Sequence, residues 1–282
     1  MQVTICLNPI VPYRDIVVYA LGDEGPYDSF EETDEGLKAY VPKKDFNEAW
    51  LRKTLDENLE NCKCSYTFEL MPDKDWNAEW ESHHEAVLIG GGLGEVCYVR
   101  APFHPVREDV TYDIVINPKM AFGTAHHPTT GLMLSQLMDM GETVKGKVVL
   151  DMGCGTAVLS ILAAKMGASY VDAVDVDECA WRNAEENVAT NGCENIVTCR
   201  LGDATTLTTQ PTYDIVLANI NKNILLKDMS SYVSAMKEDG ILLLSGFFEA
   251  DIPDLETRAT ELGLEKVTDS VMEEWAQIYL MK

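Results

Sequence analysis

A chain of 282 residues with 46% apolar composition is long enough for one large or two modest domains and can bury a proper core. Its 22 Lys and Arg against 47 Asp and Glu give a net charge of −25, a surface that repels phosphate backbones and attracts basic partners, so no direct nucleic-acid substrate is expected. No apolar run is long enough to span a membrane, the opening MQVTICLNPI lacks the segments of a secretory leader, and the eight scattered cysteines read as reduced thiols; a soluble, cytoplasmic protein without a membrane partner is expected.

The segment 1–71 alternates strand and helix patterns: a strand at 2–7, a helix at 13–21, a hairpin through 29–32 and 37–41, a helix at 45–59 and a strand at 65–70. That βαββαβ order predicts a small α+β domain of the ferredoxin-like kind. The segment 72–110 reads as a connector. Pro72 breaks the pattern, DKDWNAEWES at 73–82 predicts a short capped helix with Trp76 and Trp80 on one face, and glycines 90, 91, 92 and 94 turn between strands at 86–89 and 96–100. From 111 to 282 strands alternate with helices, at 148–150, 170–175, 196–201, 213–219, 240–246 and 276–281, with an apolar helix at 132–138. This predicts an α/β domain with a doubly wound, mostly parallel sheet.

The most informative stretch is VVLDMGCGTAVLSILAAKMGA, where a strand runs through Asp151, Gly153 and Gly155 into a small-residue helix. Glycines there let the backbone turn tightly against a ligand, and the helix start offers unpaired N–H groups. The second strand, one helix further on, ends at Asp175, where a carboxylate can accept both hydroxyls of a ribose. A dinucleotide fingerprint would need a third glycine at 158, which is Val158. Asp151 would repel a pyrophosphate and suits a cationic cofactor, so S-adenosylmethionine, with its sulfonium and α-amino group, fits the loop better than NAD.

Three further segments should meet at the carboxyl ends of these strands. Asp203, after the third, could accept an adenine amine or simply form a turn. Asn219, after the fourth, can donate and accept, and so hold a cofactor, hold a substrate amine or cap the next helix. The loop 117–130, NPKMAFGTAHHPTT, has little core value; Thr129 and Thr130 are candidate helix caps whose hydroxyls could instead reach the amino-acid end of a cofactor. Adjacent histidines at 126 and 127, and at 83 and 84, have no spaced partners, and no metal is expected.

The run from Asn117 to Thr130 resembles the signature of the PrmA family, enzymes that methylate large-subunit ribosomal protein eleven, written Phe-Gly-Thr-Gly-x-His-Pro-Thr-Thr. The likeness extends to DKDWNAEW at 73–80, SFEET at 29–33, the glycine loop, ANI at 218–220 and EEW at 273–275. The resemblance implies a Rossmann-like class I methyltransferase domain with a seven-stranded sheet, and an N-terminal domain that holds the ribosomal protein. It implies cofactor contacts at Thr130, Gly153, Asp175 and Asn219, with Phe122, Gly123 and Thr124 lying over the methionine part, and it matches the family's histidine to His127. Two positions depart from the pattern: Ala125 and Ala157 stand where the family has glycine, and alanine costs about 1 kcal/mol or more wherever φ is positive.

The expected function is S-adenosylmethionine-dependent methylation of lysine side chains, with the α-amine as a second target, on a basic ribosomal protein. Removing the lysine proton at pH 7 costs roughly 4 to 5 kcal/mol, which desolvation can offset in part. With no evident general base, positioning by Asn219 is the expected main contribution. The alternatives are a methyltransferase of another protein or of a small-molecule amine, and a non-catalytic ribosome-assembly binding module. A glutamine or nucleic-acid amine enzyme would show Asn-Pro-Pro-aromatic where this chain has Asn219-Ile220-Asn221-Lys222.

Overall fold

Alternate residues Val3, Ile5 and Leu7 of β1 (Gln2–Asn8) are buried while their neighbours face outward, the period-2 pattern of a strand covered on one face. The computed structural model describes residues 1–22, 25–27, 29–59, 62–70, 85–117, 123–207 and 210–282. Its contacts divide the chain into two units, Met1–Trp80 and Glu81–Lys282.

In the first unit β1 is followed by α1 (Tyr13–Gly22), β2 (Ser29–Thr33), β3 (Gly36–Tyr40), α2 (Glu48–Asn58) and β4 (Lys63–Glu69). The strands form an antiparallel sheet in the order β2-β3-β1-β4, the ferredoxin-like arrangement expected from the sequence. Val17 and Leu21 of α1 and Leu51 and Leu55 of α2 pack on Val3, Ile5, Leu37 and Ala39. Asn47 caps α2, its side chain accepting the Trp50 N–H at 3.1 Å. The helix expected at 73–82, with Trp76 and Trp80, and the pair His83 and His84 lie outside the described residues.

The second unit opens with β5 (Val87–Gly90) and β6 (Val96–Arg100), an antiparallel pair across the glycine turn. Both were expected in a connector, and β6 pairs in parallel with β7 (Tyr112–Val115) to make a three-stranded sheet. Arg100 grips Asp113 of β7 through two hydrogen bonds of 2.7 and 2.9 Å.

Then come α3 (Pro128–Asp139), β8 (Val148–Met152), α4 (Val158–Lys165), β9 (Tyr170–Asp175), α5 (Glu178–Thr190), β10 (Val197–Leu201), β11 (Tyr213–Asn219), α6 (Lys222–Ala235), β12 (Met236–Phe248), α7 (Ile252–Glu261), β13 (Glu265–Met272) and β14 (Trp275–Met281). The seven strands lie in the order β10-β9-β8-β11-β12-β14-β13. The first five are parallel, and β14 runs antiparallel to both of its neighbours. This is the doubly wound, seven-stranded, mostly parallel sheet expected from the sequence.

Continuous apolar runs such as IVLA in β11 are explained by cover on both faces. Ile215 and Leu217 join a core with α3, α4 and α5, whereas Val216 and Ala218 point the other way, into a core with α6 and α7. Sequence reasoning missed β13. Its eight residues are all exposed, so no buried stripe marks it, and it exists because β14 offers an open edge. Among the described residues no helix is long and apolar enough to cross a membrane.

Candidate functional site

At the carboxyl end of β8 the chain enters Gly153 and Gly155 with φ of +71° and +53°. Gly153 must be glycine for space as well as angle, because a Cβ there would stand 2.4 Å from Ile220 Cγ2 in the loop after β11. The loop is held from the next strand. Asp175, at the end of β9, accepts the Gly155 N–H at 2.8 Å on one carboxylate oxygen and the Asp177 N–H at 2.9 Å on the other. Each oxygen keeps a further lone pair for a ligand hydroxyl.

These residues line a cavity of about 500 Å³ that also receives His127, Thr129, Asn219, Gly246 and Trp275. On its outer side are Val176 and Ile224, apolar side chains that are 74% and 41% exposed beside the carboxylate of Asp175. That pairing of acid and bare apolar surface suits a ribose joined to a flat base.

His127, and neither Thr129 nor Thr130, is the N-cap of α3. Its Nδ1 accepts the Thr129 N–H at 3.3 Å and lies 2.8 Å from the Thr129 hydroxyl, while its ring meets Trp275 edge-on with centroids 4.5 Å apart. Thr130 is 1% exposed and does not line the cavity; its hydroxyl oxygen accepts from Asn219 Nδ2 at 3.4 Å. That contact turns Asn219 Oδ1 the other way, where it is buried without a hydrogen-bond partner in the cavity wall. Asn219 does not cap the following helix either. Asn221 does, accepting the Ile224 N–H at 3.2 Å.

Two further expectations need correction. Asp151 does not form an acidic mouth: it is 1% exposed and lies behind the glycine loop, where one oxygen accepts the Ser160 N–H at 3.1 Å and the Ser160 hydroxyl at 2.6 Å. Burial pushes its carboxyl up to about 6 against the opposing effect of those bonds, so its place is structural, fixing the first turn of α4. Asp203 follows its turn reading, since Oδ1 accepts the Thr205 N–H at 2.9 Å and the Thr205 hydroxyl at 2.5 Å, and it is not in the cavity wall. Those Thr205 hydrogen bonds hold its carboxyl below the usual carboxylate range.

Of the signature loop, Phe122 lies outside the described residues. Gly123, at φ +108°, accepts the Thr156 hydroxyl on its carbonyl at 2.7 Å, and Thr124 Oγ1 sits 3.1 Å from His126 Nδ1. Both alanines at which the sequence departs from the resembled pattern are in the left-handed region, Ala125 at φ +67° and Ala157 at +63°. Their methyl groups are buried in one core, at 4% and 0% exposure. Among the described residues no group of three or more His, Cys, Asp or Glu could hold a metal ion.

Gly246 escaped sequence reasoning, although a glycine inside the strand run ILLLSGFF is a signal of a bulge or close approach. It stands at a register shift in β12 with φ +95°, and a Cβ there would lie 2.4 to 2.8 Å from backbone atoms of Ile220. Trp275 was visible only as part of EEW, and its role comes from the β13–β14 turn that carries it to His127 and Phe248.

The profile of the family described as Ribosomal protein L11 methyltransferase (PrmA) matches residues 18–282. A ribosomal protein L11 methyltransferase from Phocaeicola vulgatus is 38% identical over 284 residues, covering 100% of this chain and 99% of that one. One from Porphyromonas gingivalis is 42% identical over 265 residues, 94% of this chain and 89% of its own. The crystal structure of ribosomal protein L11 methylase from Lactobacillus delbrueckii subsp. bulgaricus superposes with a TM-score of 0.56 at 28% identity, over 68% of this chain and 97% of that chain.

Proposed function

The chain belongs to the ribosomal protein L11 methyltransferase family, and from that premise we propose that it transfers methyl groups from S-adenosylmethionine to amino groups of ribosomal protein L11, in the cytoplasm, with lysine side chains the main acceptors and the α-amine a second one. One observation carries the reading: the buried, unpartnered Oδ1 of Asn219 in the wall of a 500 Å³ cavity. An enclosed acceptor without a donor is unfavourable in the free protein and is relieved by an incoming N–H.

The residues present fit the cofactor. Asp175 offers acceptor capacity to a ribose, Val176 and Ile224 offer apolar surface to a base, and the glycine loop admits close approach at Gly153 and Gly155. Gly123 and Thr124 belong to the neighbouring signature loop, and Thr130 acts behind the wall through Asn219. When bound, S-adenosylmethionine supplies an electrophilic methyl on a sulfonium, so the protein's own task is to present a neutral amine.

A lysine at pH 7 carries a proton whose removal costs roughly 4 to 5 kcal/mol. A largely apolar wall formed by Ile220, Trp275 and the glycines disfavours the charged form. Asn219 Oδ1 accepts one N–H of the amine and so fixes the direction of its lone pair; this is catalysis by orientation. The surplus of acidic residues, net charge −25, favours encounter with a basic protein.

Intact-mass measurement of purified ribosomal protein L11 after incubation with enzyme and cofactor should show successive single-methyl increments, and unrelated basic proteins should show none. Asn219→Ala should lower turnover about 100-fold with the cofactor dissociation constant changed far less. Near-normal methylation by that variant would rule Asn219 out as the group that orients the amine.

A further inference from the structure

Gln277 is the third residue of β14, with 0% exposure, and neither its Nε2 nor its Oε1 has a hydrogen-bond partner. A primary amide enclosed on all sides with donor and acceptor both unmet is unusual in a folded protein and calls for an explanation. Its position supplies one. Asn219 of β11 pairs in register with Ser245 of β12, and Ser245 pairs in register with Gln277. The three side chains therefore form a polar row across the carboxyl end of the sheet.

All three share a face. Ile215, Leu217 and Leu243 lie two or four residues before Asn219 and Ser245 and belong to the core beneath α3, and Tyr279, two residues after Gln277, packs against that core as well. Above the row lies the first turn of α3, with Thr130 buried and in contact with Asn219. Ser245 donates its hydroxyl to the Ala276 carbonyl at 2.7 Å and keeps its acceptor lone pairs.

Strands lie about 4.8 Å apart, so the backbones of Gln277 and Asn219, two strands apart, are separated by about 10 Å. Side chains on one face across such a gap meet through a buried water rather than directly, provided the water finds two to four polar partners.

We infer that Gln277 is a positioning residue for the methyl-transfer site: it holds an internal water between Ser245 and the Thr130 hydroxyl, and thereby fixes the orientation of the Asn219 amide that leaves Oδ1 turned to the cavity. The inference rests on the function proposed above, and its chemistry is specific. Nε2 donates to the row, Oε1 accepts from the water, and the Thr130 hydroxyl, held by that water, remains an acceptor for Asn219 Nδ2. Without Gln277 the amide of Asn219 can turn over and present N–H groups to a substrate N–H, which cannot pair with them.

Gln277→Met keeps the volume and removes both polar atoms. The variant should fold with an unchanged or higher melting temperature, bind S-adenosylmethionine with an unchanged dissociation constant, and methylate ribosomal protein L11 with kcat lowered about tenfold. Because the effect passes through Asn219, the same substitution in an Asn219→Ala background should have no further effect on kcat. A kcat equal to wild type, or an equal loss in both backgrounds, overturns the inference. Gln277→Glu provides a second reading: a buried, neutral carboxyl can still donate and accept, so its activity relative to wild type should fall as pH rises and the group ionises. A constant ratio across pH also overturns it. Wild-type enzyme in the same assay separates the two questions, since absence of methylation there would defeat the proposed function itself.

Discussion

The two walls of the cavity are built on opposite principles. On the side of β8 and β9 the protein uses its own polar groups: in the lining Asp175 accepts from two backbone N–H groups, and behind the lining one oxygen of Asp151 accepts twice from Ser160. On the side of β11, Asn219 Oδ1 is left without a protein partner in the lining, and behind it, outside the lining, so are both amide atoms of the buried Gln277. The first side is braced by the protein itself, while each Asp175 oxygen keeps a further lone pair. The second leaves Asn219 Oδ1 unpartnered, the atom that takes the incoming amine under the proposed function.

The sharpest way to break that contrast is at the seam between the walls, where Ile220 is gripped by Gly153 and Gly246. Gly246→Ala would drive a methyl into the Ile220 backbone at 2.4 to 2.8 Å, and stability should fall by about 4 kcal/mol in denaturant titration, with cofactor binding lost alongside. A variant of wild-type stability would show that the loop after β11 is not fixed in this way.

The support behind the glycine loop can be probed through pH. The Asp151 carboxyl is pushed to about 6 from its ordinary 3.8, so the folded chain holds the proton more tightly than the unfolded one. The corresponding stability is full below about 3.8 and is lost as pH rises through about 6. Asp151→Asn cannot ionise and should escape the loss. Its stability relative to wild type should improve between pH 4 and 6 by up to about 3 kcal/mol and then level off. Parallel pH curves for the two proteins would mean that Asp151 ionises in the folded state as it does in water.

The smallest effect is expected at the loop alanines. Ala157→Gly relieves a left-handed residue worth about 1 kcal/mol and gives up a buried methyl worth about 0.8 kcal/mol as well as chain entropy. The net change in melting midpoint should stay within the equivalent of about 1 kcal/mol. A loss above about 2 kcal/mol, more than one buried methyl is worth, would show that this group locks the helix to the strand more firmly than its size suggests.

Much of the architecture was legible from local pattern. The βαββαβ order of the first unit, the ends of β8, β9 and β11, and the meeting of Gly153, Asp175 and Asn219 at one end of the sheet all follow from periodicity and turn residues, signals confined to a few neighbours along the chain. What failed was of two kinds. Residues read as caps or ligands from their type alone were reassigned by geometry: His127 caps α3 in place of the threonines, and Asp151 faces inward to Ser160. Elements without a buried stripe, above all β13, left no periodic trace.

The sequence by itself determined the fold class, the glycine loop and the side of the sheet on which a ligand sits, because each depends on backbone angles and apolar spacing that nearby residues set. Only the tertiary structure decided the polar row beside the cavity. Asn219, Ser245 and Gln277 lie on three strands separated by whole helices or a further strand, and nothing local couples them. They become neighbours through strand register, which is fixed by the packing of α3 and the bulge at Gly246, and it is register that turns three separate polar residues into one row.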